Sequence, residues 1–312
     1  MKDRKAQFYN EEGEVHYTFN ELLYQRFMDH LIKLGRFSFG TAITCLGLQH
    51  FFFKGLRPMF VPHWPESMPD PQPMAWLAGI GLGVSGILII LGIKPRTTSL
   101  ILGCIFLLLF LFCHVPYQLI NGYISLGGWT NALKLLALAG GSFAVAGSYV
   151  FSKPGAGSDT FPIAERLVPT GRILVGIMLV AFGIDHFLYH QFVKTLVPAW
   201  IPFPLFWTYF AGIALIGGGI SFITRIKIRV VGLLTATMIF IWLLVLHIPR
   251  AIAMPELENG NEITSVFQAL AFSGIAVLIA FPLPVTREAP LATFPKSKVD
   301  HRVKVYDRRK DS

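Results

Sequence analysis

The sequence predicts an all-α integral membrane protein in which eight transmembrane helices form two parallel four-helix repeats. Three observations predict this fold class: the composition, a series of apolar runs of helical length, and an internal repeat. Charged residues make up only 14% of the 312 residues and hydrophobic residues 53%, whereas about 25% of an ordinary soluble domain is charged. A chain of this composition has too few polar side chains to cover a water-soluble core.

Eight apolar runs approach or reach the roughly 20 residues that a helix needs to cross the hydrocarbon core of a bilayer. In chain order they are residues 37–53, 74–93, 99–120, 133–151, 173–189, 205–223, 228–248 and 263–283. Residues 19–34 are amphipathic, which suits a helix lying at the membrane interface before the first span. The polar, basic segment from residue 286 onward is expected to be disordered.

The basic residues predict the orientation of these spans. With the amino terminus on the cytoplasmic side, cytoplasmic segments carry 22 of the 27 lysines and arginines, the opposite loops carry four, and Lys134 lies within a span. Because cytoplasmic loops are enriched in lysine and arginine, both termini are expected to be cytoplasmic, in the inner (plasma) membrane of a bacterium. This orientation accounts for the net charge of +9, and no nucleic-acid partner is expected.

The two halves of the chain repeat one pattern. The motifs Gly35-Arg36, Gly47, His50-Phe51 and Val61-Pro62 recur 136 residues later as Gly171-Arg172, Gly183, His186-Phe187 and Val197-Pro198, and His114 and Pro116 recur at an offset of 133 as His247 and Pro249. The predicted organisation is an amino-terminal segment (1–34), a first repeat (35–151), a linker (152–171), a second repeat (172–283) and a basic tail (284–312). An even number of spans in each repeat makes the two repeats parallel.

These motifs resemble the DoxX-like superfamily of small membrane proteins. The resemblance rests on the Gly-Arg pairs, on Gly47-Leu48-Gln49-His50-Phe51 and Gly183-Ile184-Asp185-His186-Phe187, on Val61-Pro62-His63-Trp64 and Val197-Pro198-Ala199-Trp200, and on the fourth-span start from Asn131 to Gly141. The chain therefore looks like a tandem duplication of the family's four-span unit. The resemblance implies a redox-linked membrane subunit, with membrane lipid and other subunits of a membrane redox complex as partners; it leaves open whether the chain is an enzyme.

Polar residues near the outer ends of the spans are the candidate ligand-binding residues. Odd-numbered spans run outward, so His50, His114, His186 and His247 all fall near the outer face. The candidates are His50, His114, Tyr117, Gln118 and Lys134 in the first half, and Asp185, His186, His247, Arg250 and Gln268 in the second. Polar groups at this depth are expected to turn inward, because exposing them to lipid is costly.

Several functions remain open for such a cluster. Histidine and lysine side chains can donate hydrogen bonds to the carbonyls of a quinone. Neutral imidazoles can instead ligate haem iron or another metal, for which the four histidines are the candidates. A histidine at a helix carboxyl end is also stabilised by the helix dipole without any ligand. The same bundle could alternatively bind or move a lipid or small hydrophobic solute, or serve as a non-catalytic scaffold.

Two proline-rich segments, residues 55–73 and 191–204, follow the first and fifth spans. Proline at this density forbids a continuous helix, so both segments are predicted to be lids over the outer end of each bundle. Trp64 and Trp200 are expected to anchor these lids at the membrane interface.

Overall fold

We describe the protein from a computed structural model that covers residues 19–62, 68–121, 125–149 and 162–281. Within these ranges the chain is helical, with no β-strand. The helices are α1 (Phe19–Phe52), α2 (Gln72–Leu91), α3 (Pro95–Leu109), α4 (Val115–Ile120), α5 (Thr130–Ser148), α6 (Pro162–Leu167), α7 (Gly171–Leu188), α8 (His190–Leu196), α9 (Pro204–Thr224), α10 (Ile228–Trp242), α11 (Ile248–Ala253) and α12 (Asn261–Ala280). We call α1–α5 the first half and α6–α12 the second half.

Seven helical stretches of the described chain are long and apolar enough to cross a membrane, and they correspond to seven of the predicted spans. They are Leu23–Phe52, Gln72–Leu91, Pro95–Ile120, Ile163–Leu188, Pro204–Thr224, Ile228–Ala253 and Asn261–Ala280. The remaining predicted span, residues 133–151, corresponds to α5, whose 19 residues are mostly buried; residues 150 and 151 lie outside the described residues. Since other helices rather than lipid surround α5, it can carry a lysine and many small residues.

The first helix differs from its prediction, because the stretch at residues 19–34 is not a separate interfacial helix. It continues without a break into the first span, so that α1 is a single helix of 34 residues, roughly 50 Å long. No proline occurs in α1, and its glycines at positions 35, 40 and 47 are buried against other helices. Nothing in this stretch therefore stops the helix at residue 34.

The long helices form a closed ring, and α5 and α12, which lie on opposite sides of it, contact each other. Helix α1 packs on α2 and α12, α7 packs on α9 and α5, and α3 and α10 complete the two sides. The contact between α5 and α12 crosses the middle of the ring. Each of these central helices thus packs on the first long helix of the other half, so neither half encloses its own interior alone.

Glycine pairs set the closest helix contacts in both halves. A Cβ atom added at Gly47 of α1 would lie 2.7 Å from the carbonyl oxygen of Gly79 in α2, and one at Gly183 of α7 would lie 2.6 Å from that of Gly212 in α9. A side chain cannot fit at these distances. Small residues allow such close backbone approach, which strengthens van der Waals packing between helices in a membrane.

Arginines tie the helices together at one end of the bundle, which we call the arginine end. Arg36 of α1 donates to the hydroxyl of Ser148 over 2.9 Å. Arg96 at the start of α3 forms an ion pair with Glu165 of α6, and Arg172 of α7 donates to carbonyl oxygens at the end of α9. The hydrogen bonds of Arg172 satisfy carbonyl groups that the end of α9 leaves unpaired.

Candidate functional site

Two π-helical turns position histidines at the opposite end of the bundle. The turns comprise Phe110–His114 and Leu243–His247, and Pro116 and Pro249 each follow the histidine by two residues. Proline has no N–H group and clashes with the carbonyl four residues earlier, and the wider π turn relieves this conflict. We call this end of the bundle, where His50 and His186 also lie, the histidine end.

A cavity of about 510 Å³ lies at the histidine end between the helices of the second half and α5. We call it the second-half cavity. Aromatic side chains form much of its wall: Phe182, Phe192, Trp207, Trp242 and Phe272. Its principal polar residues are Lys134, Asp185, His186, His247, Arg250, Glu258, Glu262 and Gln268. A mostly apolar cavity with a few converging polar groups has the usual make-up of a small-molecule site.

Lys134 lies on this cavity although it belongs to the first half. The sequence grouped Lys134 with His50 and His114, and the structure places it on the same cavity as His186 and His247. Helix α5 packs on α7, which turns Lys134 toward His186 and His247. Among the described residues the Lys134 ammonium has no hydrogen-bond partner, although Glu262 attracts it electrostatically. It is therefore a cation available to a ligand.

Arg250, in contrast, has a partner within the protein. Its Nε and Nη2 atoms donate to the two carboxylate oxygens of Glu262 over 3.0 and 2.6 Å. Such a bidentate pair is geometrically specific and leaves the arginine largely neutralised. Sequence reasoning missed Glu262, which begins the last span just after Arg250 ends the preceding one; this pairing of charges across a short loop was the available signal.

Three neighbouring side chains in the cavity have unused hydrogen-bonding capacity. The Nδ1 atom of His186 lies 2.7 Å from the carbonyl oxygen of Phe182, which directs its Nε2 atom to other partners. Asp185 Oδ1 and His247 Nδ1 are buried, with no hydrogen-bond partner in the part of the chain that the structure describes. Leaving a buried polar atom unpaired costs about 1–3 kcal/mol. A bound ligand or water would recover this free energy.

The corresponding space in the first half is filled by the chain itself. His50 is fully buried, with its Nδ1 atom 3.0 Å from the carbonyl oxygen of Leu46 and its ring 5.7 Å from Phe60. His114 is 1% exposed, and its Nε2 atom lies 2.9 Å from the carbonyl oxygen of Met59. We call residues 57–61 the first-half plug, because Met59 and Phe60 are buried beside these two histidines.

The other predicted residues divide between the two halves. Gln118 is buried and donates to the carbonyl oxygen of Gly128 over 2.9 Å, which gives it a structural role. Tyr117 is half-buried and does not line the second-half cavity. Gln268 is buried and lines this cavity, with its Nε2 atom 2.6 Å from the Sδ atom of Met59. Gln268 therefore links the cavity to the first-half plug.

The predicted lids also differ from the structure. Residues 191–196 of the second proline-rich segment are helical, because the prolines of that segment begin only at Pro198. This helix, α8, contributes Val193 and Leu196 to the cavity wall. Trp200 is 72% exposed and is not part of that wall. Trp64 lies outside the described residues.

No three His, Cys, Asp or Glu side chains in the described ranges are arranged to hold a metal ion. An iron porphyrin could reach His50 and His114 only by displacing Met59 and Phe60, which are 2% and 3% exposed. These two histidines therefore do not fit a haem site as the protein is folded here. His186 and His247 both line the second-half cavity.

One wall of the cavity is held by the first half through a rim segment, residues 254–260. Arg57 of the first-half plug is buried and donates from Nη2 to the carbonyl oxygen of Asn259 over 2.5 Å. Asn259 in turn donates to the carbonyl oxygen of Lys54 over 2.9 Å, and Gly260 lies against Phe53. Burial lowers the pKa of Arg57 from its ordinary value, because desolvation disfavours the charged guanidinium.

The apolar helices define an α-helical integral membrane protein with a cavity at one end of its bundle. Comparison with known families makes this class specific. Residues 31–115 match the model of the DoxX family, so this part of the chain is similar to that family. No curated protein and no solved structure matches it. The matched region contains His50 and His114, whereas every residue that lines the second-half cavity follows it in the chain.

Proposed function

We propose that this DoxX-like membrane protein binds a quinone-type head group in the second-half cavity and serves as a redox-linked membrane subunit. One observation carries the proposal: Asp185 and His247, which each have a buried polar atom without a partner among the described residues, line a single mainly apolar cavity of about 510 Å³ together with Lys134. Sites for small hydrophobic ligands enclose roughly 300–1,000 Å³ and use a few polar groups for orientation.

The chemistry of the wall suits a flat ring with oxygen substituents. Trp207 and Trp242 both line the cavity and meet edge to face, with ring centroids 6.4 Å apart. Aromatic rings of this kind pack well against a planar ligand. The Lys134 ammonium is a donor only, and an imidazole donates from its protonated nitrogen. These groups suit the carbonyl oxygens of a quinone, while the apolar wall suits its ring and tail.

The proposal includes the membrane arrangement on which it depends. With α5 as the fourth span, the chain crosses the membrane eight times as two parallel repeats, and both termini are cytoplasmic. Support comes from the motif repeat and from the 22 of 27 basic residues in the segments assigned to the cytoplasm. The histidine end then faces the outer side of a bacterial inner membrane, where other subunits of a redox complex would meet it.

The proposal is tested by titrating the purified protein in detergent with decyl-benzoquinone and following tryptophan fluorescence. We expect saturable quenching, because Trp207 and Trp242 line the cavity. Lys134→Met should weaken binding about tenfold or more, since it removes a charged hydrogen-bond donor. Lys33→Met, on the exposed face of α1, is the matched control and should have no effect. Equal affinities for the wild type and Lys134→Met would contradict the proposal.

A second candidate function is the binding or movement of a lipid or small hydrophobic solute. Two exposed residues, Phe192 and Leu257, also line the cavity, so the cavity meets the protein surface between α8 and the rim segment. Extraction of the purified protein and mass spectrometry of its bound molecules would separate the candidates. A co-purifying quinone favours the first function and phospholipid alone favours the second; a Soret band would instead indicate haem on His186 or His247.

A further inference from the structure

We infer that Asp185 recognises a hydroxyl donor, so that the second-half cavity selects the dihydroxy (quinol) form of its ligand over the dicarbonyl (quinone) form. This inference rests on the proposed function and deepens it by naming the chemical form that binds. It assigns a specificity-determining role to one side chain of α7.

The first observation is the unpaired state of the Asp185 carboxylate. Its Oδ1 atom is buried and lines the cavity, yet accepts no hydrogen bond from any described residue. The adjacent His186 does not satisfy it through Nδ1, because that nitrogen is engaged by the carbonyl oxygen of Phe182. An ionised carboxylate only accepts hydrogen bonds, so a ligand must bring the missing donor.

The second observation is the balance of charge around the cavity. Three carboxylates line it, those of Asp185, Glu258 and Glu262, against two cations, Lys134 and Arg250. Arg250 is engaged with both oxygens of Glu262. The excess of carboxylate disfavours an anionic head group. A neutral head group that carries both a donor and an acceptor satisfies the groups that remain.

The two redox forms of a quinone differ in whether they can donate hydrogen bonds. A quinone offers two carbonyl oxygens, which only accept, whereas each hydroxyl of a quinol both donates and accepts. A quinol can donate to Asp185 while another of its oxygens accepts from Lys134. A quinone carbonyl beside Asp185 would instead set two acceptors against each other, and such repulsion is an effective source of specificity.

A carboxylate at this position occurs in the second half and not in the first. The residue that corresponds to Asp185 in the first half is Gln49, whose Oε1 atom accepts a hydrogen bond from the hydroxyl of Thr264 over 3.0 Å. The acceptor atom of Gln49 thus has a partner within the protein, while its Nε2 atom is buried without one among the described residues. The carboxylate without a partner therefore belongs to the half that has the open cavity.

The test compares three probes of similar shape under anaerobic conditions: decyl-hydroquinone, decyl-benzoquinone and the dimethyl ether of decyl-hydroquinone, which has no donor. We expect the wild type to bind the hydroquinone about tenfold or more tightly than either other probe. Asp185→Asn should lose this preference while binding the quinone within about threefold of the wild type. Asp185→Glu, which keeps the acceptor, should restore it, and Glu256→Gln, an exposed glutamate of the rim segment that does not line the cavity, is the matched control.

The possible failures are distinguishable. Equal binding of hydroquinone and quinone by the wild type, or an equal loss of both in Asp185→Asn, would overturn the role of Asp185 and leave the proposed function standing. Absence of binding for all three probes would overturn the proposed function as well. Unfolding temperatures are measured for Asp185→Asn and Asp185→Glu. If they equal that of the wild type, any change in affinity arises from binding and not from folding.

Discussion

The histidine ends of the two halves begin from the same elements and end differently. In both, a helix that ends near a histidine packs through glycine against the next long helix, and a π-helical turn supplies a second histidine. In the first half, Met59 and Phe60 fill the space between the histidines. In the second half, the corresponding residues Thr195 and Leu196 belong to α8, and a cavity of about 510 Å³ remains.

This difference teaches that a shared scaffold does not make a shared site. Each histidine of the first half has one ring nitrogen in contact with a backbone carbonyl, of Leu46 or of Met59, and its other nitrogen is buried in a packed region without a partner among the described residues. Those of the second half line an open space together with Lys134, Asp185 and Glu262. The conformation of the segment that follows the first long helix of each half, α1 or α7, decides which outcome occurs.

The largest expected effect tests the scaffold that the halves share. Gly47→Val and Gly183→Val should each prevent folding, because a side chain at either position meets backbone atoms at 2.6–2.7 Å. Gly81→Val and Gly217→Val on α2 and α9 are matched controls, since a Cβ there has no neighbour within 4 Å. Yield of monodisperse protein in detergent measures the result. Tolerance of valine in one half alone would show that the scaffolds differ.

A smaller effect is expected from removing the first-half plug. Phe60→Ala should lower the free energy of unfolding by about 3–5 kcal/mol, because Phe60 is 3% exposed and stacks on Phe106. Leu196→Ala, at the corresponding position, should cost about 1 kcal/mol, since Leu196 already faces the cavity. Thermal unfolding of both variants measures the difference. Equal losses would contradict the distinction between a filled and an open half.

The paired histidines should respond in opposite ways. His114→Ala should lower the unfolding temperature and leave ligand affinity unchanged, since it loses a buried hydrogen bond to Met59. His247→Ala should weaken ligand binding about tenfold with little change in unfolding temperature, because its imidazole lines the cavity and its Nδ1 atom has no hydrogen-bond partner among the described residues. Fluorescence titration and thermal unfolding of the same samples give both quantities. A loss of affinity in His114→Ala alone would reverse the assignment.

The smallest effect is expected at the ion pair on the cavity wall. Arg250→Lys keeps the charge but loses the bidentate geometry with Glu262, so we expect a loss of about 1 kcal/mol in stability and a few-fold weaker binding. Tyr117→Phe, at the corresponding position of the first half, should leave ligand affinity unchanged. A larger change in ligand affinity for Tyr117→Phe than for Arg250→Lys would contradict the placement of the site in the second half.

Local patterns predicted much of the fold. Apolar runs of sufficient length indicated seven stretches that the structure bears out, since lipid forces backbone groups to pair within a helix. The prediction failed for residues 19–34, because amphipathicity describes which face is polar and not where a helix ends. Residues 19–52 contain no proline that would end the helix.

The site was less predictable, because it depends on which helices become neighbours. Lys134 reaches His186 and His247 only because α5 packs on α7, and a repeat in the sequence is equally compatible with four helices that enclose their own interior. The burial of the first-half plug could not be predicted for a similar reason. Met59 and Phe60 stand in a proline-rich segment that looks like a surface loop, and their burial follows from the space left between α1 and α3.

The hydrogen bonds of Arg57 and Asn259 have a consequence for the order in which the protein matures. The rim segment and α12, which pack on the first half, are synthesised after it. The contacts of α1 with α12 therefore form only after more than 200 further residues have been synthesised. Until α12 inserts, the surface of α1 is open to lipid or to a chaperone, and the cavity has no finished wall. The cavity can thus bind a ligand only once the rim segment and α12 have packed on the first half.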